Sequence, residues 1–265
     1  MKSKLVPRKV KVLDVQQEAP DISTLTLDCH SRCVPGQFVQ VSLLGVGECP
    51  LSIASHSEKY MKLTVQGVGT VTKALCKLKK GDHLYIRGPY GKGYPLKKYR
   101  GSSLILVGAG CGVAALKSVI DYVESHRKDY KDVFLFFGYR YAKSIAYKKQ
   151  ATEWKKKFNL RIALSREKTK SCLQWDQGHV TDLLKKEKLG PEKTAAFVCG
   201  PLRMINDTVK ILKKKGFADT QIYMATERLM YCGTGACCHC MIRGKLACTD
   251  GPVFRFDEIG YYGND

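Results

Sequence analysis

Apolar positions in residues 1–98 fall in short runs at 10–15, 24–27, 38–43, 62–65 and 83–86, rich in β-branched and aromatic side chains. Glycine and proline stand between the runs. Evenly spaced short strands broken in this way predict an antiparallel β-barrel or sandwich. The rhythm changes over 99–222. Apolar runs at 104–107, 133–137, 160–164, 196–199 and 222–224 alternate there with amphipathic stretches near 113–126, 146–157, 179–188 and 202–215. Strand–helix alternation predicts an α/β, doubly wound parallel sheet. Residues 223–265 change again, dense in Cys and Gly and with little periodicity. So short a segment buries little core of its own, and a bound metal is the expected source of its order.

Composition narrows the picture. A chain of 265 residues, 44% hydrophobic and 26% charged, has material for about two globular domains and is not a disordered chain. No apolar run reaches the roughly 20 residues of a membrane span. The N-terminal text Met1-Lys2-Ser3-Lys4-Leu5 is not followed by the apolar stretch of about 7–15 residues that a signal peptide needs. A cytoplasmic location is therefore expected. Twelve cysteines in such a chain read as reduced thiols, several of them metal ligands, and not as a disulfide scaffold.

The net charge of +21 would suit nucleic acid, anionic lipid or an acidic protein. The lysines are scattered, and the densest groups, at 148–149 with 155–157, 185–188 and 213–215, fall on polar faces of predicted helices. With no nucleic-acid-reading motif beside them, solvated helix faces are the expected reading. An acidic protein partner is the alternative.

The tail carries the sharpest chemistry. Cys232, Cys237, Cys240 and Cys248 stand in the spacing C-x4-C-x2-C-x7-C, whose first two gaps are those of a plant-type [2Fe–2S] loop. Four thiolates must converge on two irons from a loop that wraps them, and Gly233 and Gly235 allow that curl. The alternative is a structural zinc site, which more often shows two C-x2-C pairs. Cys238 and His239 are read as loop residues.

In the middle, the run 104–107 leads into Gly108-Ala109-Gly110-Cys111-Gly112, a strand, glycine turn and helix that would bring a pyrophosphate to a helix N-terminus. A plain tight turn is the other reading. Cys199-Gly200-Pro201 closes a second strand and Ser165-Arg166 a third, all at the carboxyl edge where doubly wound sheets bind ligands. A hydroxyl and a guanidinium there would favour the 2′-phosphate of NADPH. In the first region, the stretch Cys49 to Ser55, with Pro50, Leu51, Ser52 and Ile53, ends a strand with polar groups, and Gly67-Val68-Gly69-Thr70-Val71-Thr72 should expose consecutive N–H groups at a helix start, suited to a diphosphate; ordinary turn chemistry is the other reading of each.

These stretches, in this order, resemble the ferredoxin–NADP reductase superfamily. The resemblance is to the branch with a C-terminal [2Fe–2S] cluster, which includes the electron-transfer subunit of dihydroorotate dehydrogenase B, the B subunit of anaerobic sulfite reductase and the gamma subunit of sulfhydrogenases. It covers nearly the whole chain and is most specific at 35–39, 47–53, 87–94, 227–237 and 248–254. It implies an FAD-binding barrel over 1–98, an NAD(P)-binding domain over 99–222 and a [2Fe–2S] subdomain over 223–265. Ser52 would lie near flavin N5, and Thr70 and Thr72 would hold the flavin diphosphate. The family's Arg-x-Tyr-Ser/Thr flavin motif has Cys49 and Leu51 at its Arg and Tyr positions, so the usual guanidinium and stacked ring are missing. Where many relatives carry Pro in the nucleotide loop, this chain has Ala115.

The implied mechanism is a relay from NAD(P)H through FAD to the cluster, with no acid–base residue required. The expected role is that of an electron-transfer subunit serving a catalytic partner, anaerobic sulfite reductase or hydrogenase ahead of dihydroorotate dehydrogenase. The alternatives are a stand-alone reductase of an acidic carrier such as ferredoxin, and a non-redox zinc module.

Overall fold

A computed structural model describes residues 5–167 and 175–263. Residues 1–4, on which much of the N-terminal reading rests, lie outside that range. The first part is a closed six-stranded barrel of β1 (Arg8–Ala19), β2 (Ile22–Leu27), β3 (Phe38–Leu43), β4 (Gly47–His56), β5 (Met61–Gln66) and β6 (His83–Tyr90), in the order β1-β2-β5-β4-β3-β6. Closure removes the exposed strand edges an open sheet would carry. A short helix, α1 (Thr70–Leu75), bridges β5 and β6. The inward positions Val12, Leu25, Val39, Val41, Leu63, Val65, Leu84 and Ile86 are fully buried and form the barrel core.

Of the barrel strands, β4 was the least legible. Its sequence, Gly-Glu-Cys-Pro-Leu-Ser-Ile-Ala-Ser-His, lacks clean alternation, and proline argues against a central strand. Register explains the tolerance. The half that contains Pro50 pairs only with β3, Pro50 opposite Gln40, whereas pairing with β5 starts at Ile53. Pro50 therefore needs no N–H.

The second part holds β7 (Ser103–Ala109), α2 (Gly112–Ser125), β8 (Val133–Tyr139), α3 (Lys148–Lys157), β9 (Asn159–Leu164), β10 (Asp176–Gln177), α4 (Val180–Lys186), β11 (Thr194–Cys199), α5 (Leu202–Lys214) and β12 (Ile222–Ala225). Its sheet order is β10-β9-β8-β7-β11-β12, with all these strands parallel. The chain steps outward from β7 to β9 and then returns to the other side of β7, so the order reverses between β7 and β11. The central strands are continuous apolar runs, as a sheet covered on both faces requires.

The cysteine-rich tail adds β13 (Met241–Ile242), β14 (Lys245–Leu246), β15 (Val253–Arg255) and α6 (Phe256–Ile259). Here the structure corrects the expectation that metal alone orders the segment. β15 joins the large sheet as its seventh strand, antiparallel to β12, with Met224 opposite Phe254. Phe254, Phe256, Ile259 and Tyr262 are buried in the same cluster as Met224 and Ile205. Thr226 closes the junction by donating from its N–H and its hydroxyl to the Pro252 carbonyl, at 2.8 and 3.0 Å.

Phe254 is 1% exposed. Phe254→Ala is expected to cost about 3–5 kcal/mol in denaturant unfolding, in protein stripped of metal as well as in protein as purified.

Candidate functional site

A cleft of about 1100 Å³ opens at the carboxyl edge of the large sheet. Its floor is the turn after β7, Ala109 to Gly112, beside the turn after β11, Gly200 and Pro201. This is the switch point between β7 and β11, where open α/β sheets place ligands. The two turns touch. A Cβ on Gly112 would lie 2.5 Å from the Cys199 carbonyl oxygen and 2.7 Å from the Gly200 Cα, so only glycine lets them meet. Gly110 has φ +56° with nothing within 4 Å of its Cβ direction, so its requirement is conformational. In the first turn of α2 the Val113 and Ala114 N–H groups donate to the Gly110 and Cys111 carbonyls, at 3.3 and 2.9 Å, and no side chain caps the helix, so the amide that suits an anion is that of Gly112 at the turn itself.

Of the expected nucleotide residues, Gly110, Gly112, Ser165, Gly200 and Pro201 line this cleft. Gly108 and Cys199 are buried behind it, with Gly108 packed on Val113 and Leu116. Arg166 is exposed and outside the lining, although its N–H donates to the Arg140 carbonyl at 3.0 Å. Arg140 and Arg203, which sequence reasoning missed, do line it. A systematic reading of every strand end would have found both, since Arg140 follows β8 and Arg203 opens α5. Cys111 also faces the cleft, its thiol pushed up to about 11 by burial and then by the charge of Glu227, whose own carboxyl is raised by burial.

The barrel supplies the opposite wall through Asp21, Ile22, Gln66 and Val68. Beside this wall, Pro50 to Ile53 lie in β4 and Gly67 to Thr72 run into α1, which packs on β4 with Val71 against Gly47. The two candidate flavin stretches thus adjoin. The expectation of consecutive open amides needs correcting. Gly67 N–H donates to Asp21, Val68 N–H to the Gln66 carbonyl, and Gly69 N–H to the Thr72 hydroxyl. The N–H groups without an intrahelical partner are those of Thr70, Val71 and Thr72, because the first helical bond runs from Lys73 to Gly69.

The cysteine loop rests on β3 and β6 of the barrel. Gly233 lies on the Tyr90 ring, where a Cβ would come within 2.9 Å of Cε2. Gly233 and Gly235 have φ +74° and +83°, as the curl of the loop requires. Backbone N–H groups of Thr234 and Cys237 donate to Cys232 Sγ, both at 3.4 Å, and Gly235 N–H donates to Cys248 Sγ at 3.2 Å. Burial works against the Cys232 thiolate, but those amides bring its pKa below the ordinary value. Cys248 goes the other way, raised by burial and by Cys240 beside it. Cys240 and Cys248 are 2% and 1% exposed, Cys232 is half-buried and Cys237 faces outward. Among the described residues, no three Cys, His, Asp or Glu groups close on a single ion position. The donor set nevertheless fits an iron–sulfur cluster: thiolate chemistry, amides aimed at sulfur and a glycine-curled loop.

Three barrel side chains clamp this loop. Gln40 donates to the Met230 carbonyl at 3.1 Å. Arg87, 9% exposed, donates to the carbonyls of Tyr231 and Cys232 and to both oxygens of Glu48. Tyr90 supports Gly233 and packs on Phe38, with ring centroids 5.8 Å apart.

A nucleotide-type cleft and a four-cysteine loop mounted on one barrel define an oxidoreductase that moves electrons between a nicotinamide dinucleotide and an iron–sulfur centre. Residues 106–210 match the family model of oxidoreductase NAD-binding domains, and residues 227–260 match that of the iron–sulfur cluster binding domain of dihydroorotate dehydrogenase B. The chain is 36% identical over 239 residues to the gamma subunit of sulfhydrogenase 2 of Pyrococcus furiosus, covering 84% of this chain and 83% of that one. It is 32% identical over 250 residues to a probable dihydroorotate dehydrogenase B (NAD+) electron transfer subunit of Archaeoglobus fulgidus, covering 94% and 97%. Its fold matches a NADH-dependent reduced ferredoxin–NADP oxidoreductase with TM-score 0.76 at 24% identity, covering 95% and 90% of the two chains. It also matches a ferredoxin–NADP reductase of Neisseria gonorrhoeae, solved with FAD and NADP, with TM-score 0.71 at 20% identity, covering 84% and 98%. The chain has the fold of the ferredoxin–NADP reductases and belongs to the family of sulfhydrogenase gamma subunits and dihydroorotate dehydrogenase B electron-transfer subunits, as an electron-transfer subunit of an NAD-dependent oxidoreductase complex. None of its described helices is long and apolar enough to cross a membrane.

Two predictions follow from this geometry. Gly112→Ala pushes backbone against backbone, so it should cost about 1–3 kcal/mol of stability and weaken dinucleotide binding at least tenfold by calorimetry. Gly110→Ala should cost about 1–2 kcal/mol through left-handed strain alone. The second concerns Glu48. Burial would raise its pKa, but hydrogen bonds from Arg87 and Ser42 and the Arg87 charge carry it below its ordinary 4.5. A folded-state pKa below the unfolded one stabilises above the unfolded value and is lost as pH falls through the folded value. Glu48→Gln should therefore melt lower than the wild type at neutral pH, with the gap closing in thermal melts taken below pH 4.5.

Proposed function

We propose that the chain is a cytoplasmic, diaphorase-type subunit that carries electrons between NAD(P)H, FAD and a [2Fe–2S] cluster for a catalytic partner that handles a small inorganic substrate, as a hydrogenase or a sulfite reductase does. One observation carries the reading: the same barrel walls the dinucleotide cleft through Asp21, Ile22, Gln66 and Val68 and clamps the cysteine loop through Gln40, Arg87 and Tyr90. A cofactor in that barrel stands between an electron source and an outlet. When bound, FAD takes an electron pair as hydride, and a [2Fe–2S] cluster takes electrons singly. The protein's part is positioning. In this reading the barrel of 1–98 holds FAD, with the first turn of α1, Thr70 and Thr72 at the diphosphate and Ser52 near the reactive ring edge. The 99–222 domain seats the dinucleotide pyrophosphate on Gly110, Gly112 and the α2 N-terminus. The 223–265 segment binds the cluster through Cys232, Cys237, Cys240 and Cys248, with Cys237 outermost and turned toward the partner. A compartment that keeps thiols reduced suits so many cysteines.

Identity to two sulfhydrogenase gamma subunits, 36% and 34%, favours the hydrogenase side. The match of 227–260 to the cluster domain of dihydroorotate dehydrogenase B supports a second reading, in which the partner oxidises dihydroorotate. Anaerobic purification with the partner in place decides between them. Hydrogen, sulfite or dihydroorotate turnover coupled to NAD(P)H identifies the complex. A chain that purifies alone and reduces ferredoxin overturns the subunit reading.

Ser165 and Arg140 line the cleft, and Arg166 follows Ser165 just outside the lining; in this reading the Arg140 and Arg166 guanidiniums serve a 2′-phosphate. NADPH is accordingly expected to bleach the visible flavin and cluster bands at lower concentration than NADH. Arg140→Ala with Arg166→Ala should raise the KM for NADPH at least tenfold and leave that for NADH within about threefold, as about 1.4 kcal/mol per tenfold implies for a lost charged contact. Equal losses with both nucleotides would remove the 2′-phosphate assignment.

A further inference from the structure

We propose that Arg87 is a positioning residue for the iron–sulfur cluster and sets its reduction potential. The inference rests on the reading that Cys232, Cys237, Cys240 and Cys248 hold a [2Fe–2S] cluster. Arg87 sits in the middle of β6, 9% exposed, and its guanidinium nitrogens all donate. One edge donates to Glu48, with Nε at 3.0 Å from Oε2 and Nη2 on Oε1. Nη1 donates to the carbonyl of Cys232, the first ligand, and Nη2 also reaches the Tyr231 carbonyl. A planar fork that takes a carboxylate on one edge and successive carbonyls on the other is something lysine cannot reproduce.

The charge is fixed in place from both sides. Glu48 accepts a hydrogen bond from the Ser42 hydroxyl at 2.6 Å and is the more open member of the pair, its side chain 28% exposed against 9% for Arg87. On the loop side, Gly233 lies against the Tyr90 ring and Met230 is tied to Gln40, so the carbonyls of 231 and 232 are held between two anchors. A buried ion pair adds little net stability in general. What this one adds is a positive charge at the backbone of a cluster ligand, in a shielded setting where charges act more strongly than in water.

The sign follows from electron balance. Reduction adds one electron to the cluster, turning one ferric iron ferrous, and raises its negative charge by one with no bond made or broken. A cation beside Cys232 stabilises the reduced form and lifts the potential, while Glu48 partly offsets it. Net charge and hydrogen bonding around the sulfurs are the terms that tune such clusters.

The test is an EPR-monitored redox titration of the full-length protein, with iron and sulfide content measured on each sample. Arg87→Met should lower the midpoint by at least the roughly 59 mV that a tenfold shift in a one-electron equilibrium represents. Glu48→Gln should raise it, and Arg87→Lys, which keeps the charge, should stay closer to the wild type than Arg87→Met does. Opposite signs for Arg87→Met and Glu48→Gln are what a merely structural clamp does not produce. Midpoints that do not move, or that move in the same direction, overturn the proposal. If Arg87→Met does not load iron, the decision passes to Glu48→Gln: a raised midpoint supports the assignment and an unmoved one ends it. Wild-type protein without two irons and two sulfides per chain defeats the cluster reading itself, a result separate from any shift among the variants.

Discussion

The carbonyls of residues 230–232 are tied to the barrel by Gln40 and Arg87, and the arrangement of the molecule depends on that attachment. The segment leaves the last parallel strand, β12, crosses to the barrel and turns into the cysteine loop. With its backbone held there, the following glycine packs on Tyr90 and the four thiols gather beyond it. β15 then brings the chain back to β12. The loop is thus pinned at its start by side chains of the barrel and at its end by a strand of the large sheet. A cluster bound in it would lie at a set position relative to both.

The second constraint is the contact between the turns after β7 and β11. Parallel strands in register deliver both turns to one edge, Gly108 opposite Cys199, and the absence of a side chain at Gly112 lets them close together. The α2 N-terminus then faces open space in the cleft. Arginines and carboxylates, among them Arg140, Arg203, Asp21 and Glu227, line the cleft and give it charge of both signs. The barrel's contribution to this wall is as specific as the sheet's.

Much of the architecture was legible because periodicity is local. The alternation of apolar runs and amphipathic stretches located five of the six parallel strands and the four main helices to within a few residues; β10, two polar residues long, carried no such signal. β4 was obscure because its tolerance of Pro50 comes from a missing neighbour, and pairing is not local. The tail was misjudged for a related reason: β15 is only three residues long, and what buries Phe254 is the face of a strand thirty positions earlier. The glycine turn and the cysteine spacing were readable because each packs its chemistry into fewer than twenty consecutive residues. The open amides expected at 67–69 were not, since their partners are an aspartate carbonyl from β1's turn and a hydroxyl one turn ahead.

By itself, the sequence determined the order of barrel, parallel sheet and cysteine tail, the spacing that makes four thiols the candidate donor set, and the glycines at which backbone must come close to backbone. These follow from residue type and spacing, which act over one strand, one turn or one loop. Tertiary structure alone decided that Arg140 and Arg203 share a cleft with Gly110, that Gln66 and Val68 form its far wall, and that Arg87, thirty-nine residues from Glu48 and 145 from Cys232, joins the two. Such contacts depend on how separate elements are packed, because a guanidinium finds its acceptors by where the strands set it and not by what stands beside it in the chain.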